Sequence, residues 1–265
     1  MQREKTVVSG SVEDDQLAPW RARLTGAVPK HRIRSAGPAP VSPETVARYL
    51  ALPDIACAVA DALDELRIGS PVTGGLSAVR GGSRVCGAAV TLRYERVDPA
   101  AAKRVSPVLG DRDLYGLAPA GAVAVIDAAD QNDHAVVGEI SMAWAATAGL
   151  AGIVVDGAVR DVDALTSEDA LPVWSRARSP RNARGRLDAV ELNGPIRLGG
   201  GSVRPGDLVV ADGNGVAVVP AEHITDVLQR CERAHRTEAR IHTAIAESAD
   251  LADLVRRSRS VTETA

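Results

Sequence analysis

Two short apolar runs set the strongest limit on the fold. Val123 to Ile126 is unbroken hydrophobic chain ending in Asp127, and Gly152 to Asp156 is a second run that also ends in aspartate. Neither alternates polar with apolar residues, so each reads as a strand buried on both faces. Between them, Gly138-Glu139 opens a helix to about Ala148, and Gly149 suits its C-terminal stop. After a short helix comes a third strand, LPVWS. Strand, helix, strand, helix, strand in this order implies a partly parallel α/β sheet.

The flanking segments extend this unit. Ser42-Pro43 caps and starts one helix, and Asp54 to Leu66 carries Ile55, Val59, Leu63 and Leu66 at helical spacing. A Gly/Pro-rich segment leads into VCGAAVTLRY, a strand. QNDHAVV reads as a polar loop and GAVRD as another. The stretch IRLGGGSVRPGDLVVADGNGVAVVP reads as β-hairpins, and a charged helix follows from about Ala221. Residues 1–40 form an N-terminal extension, polar and rich in Pro and Gly near its end, whose order depends on docking, with a neighbouring subunit as one candidate surface. The α/β domain is expected over 41–245, and 246–265, with RRSRSVTETA, reads as a frayed tail.

Composition narrows the function classes. The 265 residues are 45% hydrophobic but 2% aromatic, with no Phe, so the core must be Ala, Val, Leu and Ile. A net charge of -3 gives no electrostatic case for nucleic acid or for a membrane surface. Cys57, Cys86 and Cys231 lack metal spacing and read as reduced thiols. No apolar run reaches membrane-span length, and the N-terminus lacks the apolar region of a secretory signal. The expected location is the cytoplasm.

In open α/β sheets, ligands sit beyond the carboxyl ends of strands. Asp127 and Asp156 mark two such ends. The second runs through GAV to Arg160 and Asp161. Alone, this pair reads as a solvated surface pair. Beside the helix opened by Gly138, Glu139, Ile140 and Ser141, it reads as a site. First-turn N–H groups lack intrahelical partners and attract an anion. Arg160 could clamp the same carboxylate, and Asp161 could offer a hard oxygen to Mg²⁺ or Mn²⁺. That set suits a 2-oxo acid. Glu139 also suits a plain first-turn acid on the helix dipole. His134 has two readings, a solvated loop residue or a substrate contact and proton donor. Asp127, Asn132 and Asp133 read as loop residues or holders of water near a metal. Asp212 and Asn214 read as a hairpin turn or a contribution to a neighbouring subunit's site. Trp174 fills the core or lines a pocket mouth, and the arginines from Arg176 to Arg186 read as a solvated loop.

Twenty residues separate Glu139 from Arg160-Asp161. This acid–spacer–Arg-Asp pattern resembles the signature of the class II pyruvate aldolases, typified by 4-hydroxy-4-methyl-2-oxoglutarate aldolase and grouped with the regulator of ribonuclease activity A. DIACAVADALDELRIGSPVTGGLSAVRGGSRVCGAAVT, GIVVDGAVRDVDAL and RPGDLVVADGNGVAVVP resemble the family's opening, core motif and late hairpin, so the likeness spans roughly residues 50–240. The resemblance implies a swivelling β/β/α-type sandwich, a single domain with an N-terminal extension and a C-terminal helix, assembled as a homotrimer or hexamer with sites at subunit boundaries. It implies a metal-dependent lyase that cleaves 4-hydroxy-2-oxo acids through a pyruvate enolate and also decarboxylates oxaloacetate. Carried over, Gly138 to Ser141 and Arg160 bind substrate, Asp161 holds the metal, Mg²⁺ before Mn²⁺, and Glu139 takes a catalytic place where several aldolases carry aspartate. Two alternatives travel with it. One is a non-catalytic regulator of a ribonuclease, a role whose members tend to lose the metal aspartate that is present here. The other is a specialised enzyme using the same enolate site.

Overall fold

Asp127 and Asp156 lie side by side in register on adjacent parallel strands. The computed structural model that shows this describes residues 12–98 and 109–263. Its helices are α1 (Asp14–Leu17), α2 (Pro43–Ala51), α3 (Ile55–Glu65), α4 (Asp111–Leu117), α5 (Glu139–Thr147), α6 (Val162–Leu165), α7 (Ile224–Glu247) and α8 (Leu251–Glu263). The strands before α5 are β1 (Val72–Thr73), β2 (Ser77–Ala78), β3 (Val85–Arg96), β4 (Val123–Asp127) and β5 (Ala135–Val137). Those after it are β6 (Gly152–Val159), β7 (Val173–Arg178), β8 (Leu187–Leu192), β9 (Ile196–Leu198), β10 (Gly201–Val203), β11 (Leu208–Asp212) and β12 (Gly215–Val219).

The long strand β3 joins two kinds of sheet. Its first half pairs antiparallel with β11, which continues to β12 and β1. Its second half pairs parallel with β4, and β4, β6 and β7 follow in parallel. The parallel strands are the apolar runs, and Val123 to Ile126 and Ile153 to Val155 have no measurable exposure. Helices α4 and α5 cover one face of this half, while α2, α3 and α7 cover β11 and β12. The hairpin β9–β10 packs over a third apolar cluster with Trp174 and Leu76. The mixed α/β fold with a C-terminal helix is as the sequence implies.

Four segments differ from the sequence reading. Ala135–Val137, inside the expected polar loop, is a short strand that pairs with β6; three apolar residues are too few to announce a strand. GAVRD is not all loop, because β6 runs on to Val159. Gly157 is the reason a break was expected and the reason the strand passes: a Cβ there would lie 2.5 Å from Ala128 Cβ. Arg176 and Arg178, read as part of a solvated loop, belong to β7. The frayed tail is helical as far as Glu263. Asp250 Oδ1 accepts the Asp253 N–H at 2.8 Å while Asp253 Oδ2 accepts the Ala249 N–H at 3.2 Å, a reciprocal cap that starts α8.

The N-terminal extension, over its described part, docks on its own domain. Asp113 accepts from Thr25 N (2.6 Å), Thr25 Oγ1 (2.7 Å) and Val28 N (2.8 Å). Ile33 bridges to Leu192 on β8. This brings Thr25 and Ala27 to the rim of the cavity described next. Among the described residues no helix is long and apolar enough to cross a membrane.

Candidate active site

The carboxyl end of β6 is shaped by its neighbour β5. Arg160 N donates to Val137 O at 3.0 Å, so the pairing of the two strands ends at Arg160. The next residue, Asp161, takes a left-handed conformation at φ 57, which aspartate tolerates better than most side chains. That turn starts α6 and brings the Asp161 carboxylate back against α5. Asp161 Oδ2 accepts the Glu139 N–H at 3.1 Å and lies 3.5 Å from Arg160 Nε. Asp161 therefore caps the helix through one oxygen and braces the arginine through the same atom. Gly138 makes this approach feasible. A Cβ there would collide with Asp161 Oδ2 and sit 3.0 Å from Arg160 Cγ.

These residues open onto a cavity of about 490 Å³. Gly138, Ile140, Ser141, Arg160 and Asp161 line it, so five sequence-selected residues converge on one wall. Arg160 and Asp161 keep 38% and 39% of their side-chain surface open. Glu139 is exposed and its side chain is not part of this wall; its contribution is the capped N–H. His134 is not among the lining residues either, although its neighbour Ala135 is. Its Nδ1 faces Gln131 Oε1 at 3.3 Å, and burial, with the charges of Arg186 and Arg181, pushes its pKa below the usual imidazole value.

Four further lining residues were not selected from the sequence as site residues. Asp111 and Arg112 come from the start of α4, and Asn182 and Arg184 from the connection between β7 and β8. Asp111 is buried, 6% exposed. The Ser141 hydroxyl lies beside it and is 2.9 Å, oxygen to oxygen, from the Tyr115 hydroxyl. Burial raises the Asp111 carboxyl above its ordinary value, and the Ser141 bond and Arg112 charge only partly oppose this. The segment DRDLYGL reads as an ordinary acidic helix start, and nothing in its spacing reveals that Asp111 is buried. Arg112 stacks over Trp144 at 5.0 Å from the ring centre. Ile140 and Trp144 leave an exposed apolar strip beside the cavity.

The other candidates are anchors. Asp127 accepts from Ala129 N and Arg197 N, at 2.9 and 3.4 Å. Asp156 pairs with Arg176 at 2.5 Å and accepts Gly199 N at 2.8 Å, tying β6 to the β9–β10 hairpin. Asn132 and Asp133 are exposed. Asp212 accepts Asn214 N (2.8 Å) across the β11–β12 turn and Ala56 N (3.1 Å). Trp174 is fully buried and donates to Asp212 O at 2.9 Å.

Among the described residues no group of three His, Cys, Asp or Glu could hold a metal ion. The cavity instead offers one half-open carboxylate, Asp161, as a metal donor. A single hard oxygen donor fits a cation that keeps most of its water, as Mg²⁺ does, and does not fit a closed zinc site.

A family model described as RraA-like, aldolase/RraA, matches residues 56–218. A Halalkalibacterium halodurans protein, provisionally named a 4-hydroxy-4-methyl-2-oxoglutarate aldolase, is 30% identical over 190 residues, which cover 72% of this chain and 84% of that one. A crystal structure of an uncharacterized Pseudomonas syringae pv. tomato protein superposes with TM-score 0.70 at 28% identity, covering 84% of this chain and 96% of that one. Streptomyces coelicolor RraAS2, described as an unusual member of the RNase ES inhibitor RraA family, superposes with TM-score 0.61 at 26% identity, covering 75% and 96%.

Proposed function

This chain belongs to the aldolase/RraA family, and from that premise we propose that it is a divalent-metal-dependent carbon–carbon lyase acting on 4-hydroxy-2-oxo acids. The observation that carries this reading is the convergence of Arg160, Asp161 and the first turn of α5 on one cavity. Arg160 would hold the 2-oxo acid carboxylate, with the Ile140 and Ser141 N–H groups as further donors, since Asp161 already takes the Glu139 N–H. Asp161 would hold the cation, Mg²⁺ or Mn²⁺, which when bound supplies Lewis-acid stabilisation of the charge developing on the keto oxygen. Three guanidinium groups (Arg112, Arg160, Arg184) and two carboxyl groups (Asp111, Asp161) line the cavity, a balance that suits an anionic substrate.

The reaction needs few parts. Loss of the C4 hydroxyl proton breaks the C3–C4 bond, releases a carbonyl product and leaves the electron pair in pyruvate enolate. Protonation at C3 then yields pyruvate. Decarboxylation of oxaloacetate passes through the same enolate and belongs to the same site. The exposed strip of Ile140 and Trp144 beside the cavity supports burial of this rim in a homotrimer or hexamer.

Calorimetric titration with oxalate, a planar mimic of the enolate, tests the reading. In Mg²⁺ the wild-type chain should bind oxalate, and Arg160→Ala should weaken it by at least about tenfold, the loss expected for a charge-assisted hydrogen bond. Equal binding by both would remove Arg160 from the site. A second reading, a ribonuclease regulator, is favoured by the likeness to RraAS2; oxalate binding and lyase turnover both absent would support it.

A further inference from the structure

The lyase reading leaves the last proton unassigned. The family pattern offers Glu139, whose side chain is exposed at the start of α5 between two lining residues, Gly138 and Ile140. Besides Asp161, the carboxyl group that lines the cavity is Asp111. We propose that Asp111 is the acid that protonates C3 of the pyruvate enolate, held in place by the hydroxyls of Ser141 and Tyr115.

The inference rests on the lyase reading and on four observations. Asp111 lines the cavity yet is buried, so it meets a ligand without being solvated like a surface acid. It forms no ion pair among the described residues: Arg112, its neighbour on α4, stacks on Trp144 instead. The Ser141 hydroxyl meets that of Tyr115 and lies beside Asp111, so groups from α5 and α4 together surround the carboxyl. Tyr94 on β3, fully buried, backs it from the sheet side. The groups around Asp111 are thus Arg112 and Tyr115 on α4, Ser141 on α5 and Tyr94 on β3, with the charges of Arg160, Asp161 and Arg184 elsewhere in the cavity lining. Burial favours the neutral, proton-bearing carboxyl that the step requires.

The step balances within the site. The Asp111 O–H bond breaks and its proton joins C3. The C2–C3 π pair forms the new C–H bond, and the enolate oxygen pair restores the C2 carbonyl. Asp111 is left as carboxylate and takes a proton back from solvent through the open mouth. In reverse, the carboxylate draws a methyl proton from pyruvate.

The reverse step is measurable. In D₂O with Mg²⁺, wild-type protein should exchange the methyl protons of pyruvate, read by NMR. Asp111→Asn should slow exchange at least about 10²-fold, the lower range for loss of a general acid–base group, while oxalate affinity stays within about threefold. Ser141→Ala removes the bond that lowers the Asp111 pKa, so the acid limb of its exchange profile should move to higher pH. Exchange by Asp111→Asn at the wild-type rate overturns the assignment, as does an unmoved acid limb in Ser141→Ala. Wild-type protein that neither exchanges pyruvate nor binds oxalate overturns the lyase reading and this assignment with it, whereas loss of exchange with oxalate binding kept in Asp111→Asn supports both.

Discussion

Two Asp–Arg pairs, one anchored within β6 and one just beyond its carboxyl end, differ in how completely each is satisfied. Asp156 meets Arg176 at 2.5 Å, and its second oxygen takes the Gly199 N–H. Every strong acceptor there has a partner, and the pair fastens β6 to β7 and the β9–β10 hairpin. Asp161 meets Arg160 at a looser 3.5 Å and uses one oxygen for both the arginine and the Glu139 N–H. Both side chains stay more than a third open, above a cavity. The same residue types build a rivet in one place and a receptor in the other. A carboxylate whose partners are all internal has nothing left to offer a ligand.

Breaking the receptor should cost activity first. Asp161→Asn keeps an acceptor for the Glu139 N–H and tolerates φ 57. It should therefore fold normally by thermal melting while pyruvate release from a 4-hydroxy-2-oxo acid falls by about 10³-fold. Gly138→Ala crowds Asp161 and Arg160 apart. A displacement on that scale should lower kcat/KM by about 10²-fold. Breaking the rivet should do the opposite. Asp156→Asn leaves the Arg176 charge half-buried without its partner and should destabilise the fold by about 1–3 kcal/mol in urea, below the range for a fully buried pair. Its kcat/KM should stay within about threefold of wild type.

The smallest effect sharpens the comparison through pH. Burial raises the Asp111 carboxyl above its ordinary value of 3.8, so the folded chain holds this proton more tightly than the unfolded chain. That contribution is complete below about pH 3.8 and is lost as pH rises through the raised pKa. Wild type should lose stability relative to Asp111→Asn as pH rises above about 3.8, read from urea midpoints. A difference that is flat with pH would mean that Asp111 ionises as freely in the fold as outside it.

The sequence disclosed one side of the site and hid the other. Val123 to Ile126 and Gly152 to Asp156 announce parallel strands because buried strands need no alternation. Gly138 to Ser141 and Arg160-Asp161 follow from where those strands end. The connection is short in sequence, and its chemistry is carried by residue type and spacing. Asp111, Asn182 and Arg184 reach the cavity from segments whose position is set by packing. Asp111 looks like any first-turn acid until Tyr94, Tyr115 and Ser141 are brought around it. Likewise the docking of residues 12–40 depends on Asp113 meeting Thr25 and Val28, contacts between residues 88 and 85 positions apart in the chain. Asp127 and Asp156, equally plausible at the strand ends, are separated from the site only by knowing who their partners are.

Oxaloacetate decarboxylation by chelator-stripped protein tests the central claim most directly, run on wild type, Asp161→Asn and Asp156→Asn with and without added Mg²⁺ or Mn²⁺. The account predicts metal-dependent turnover in wild type and Asp156→Asn and its loss in Asp161→Asn. Turnover in Asp161→Asn equal to wild type, or none in wild type with either ion, would contradict it.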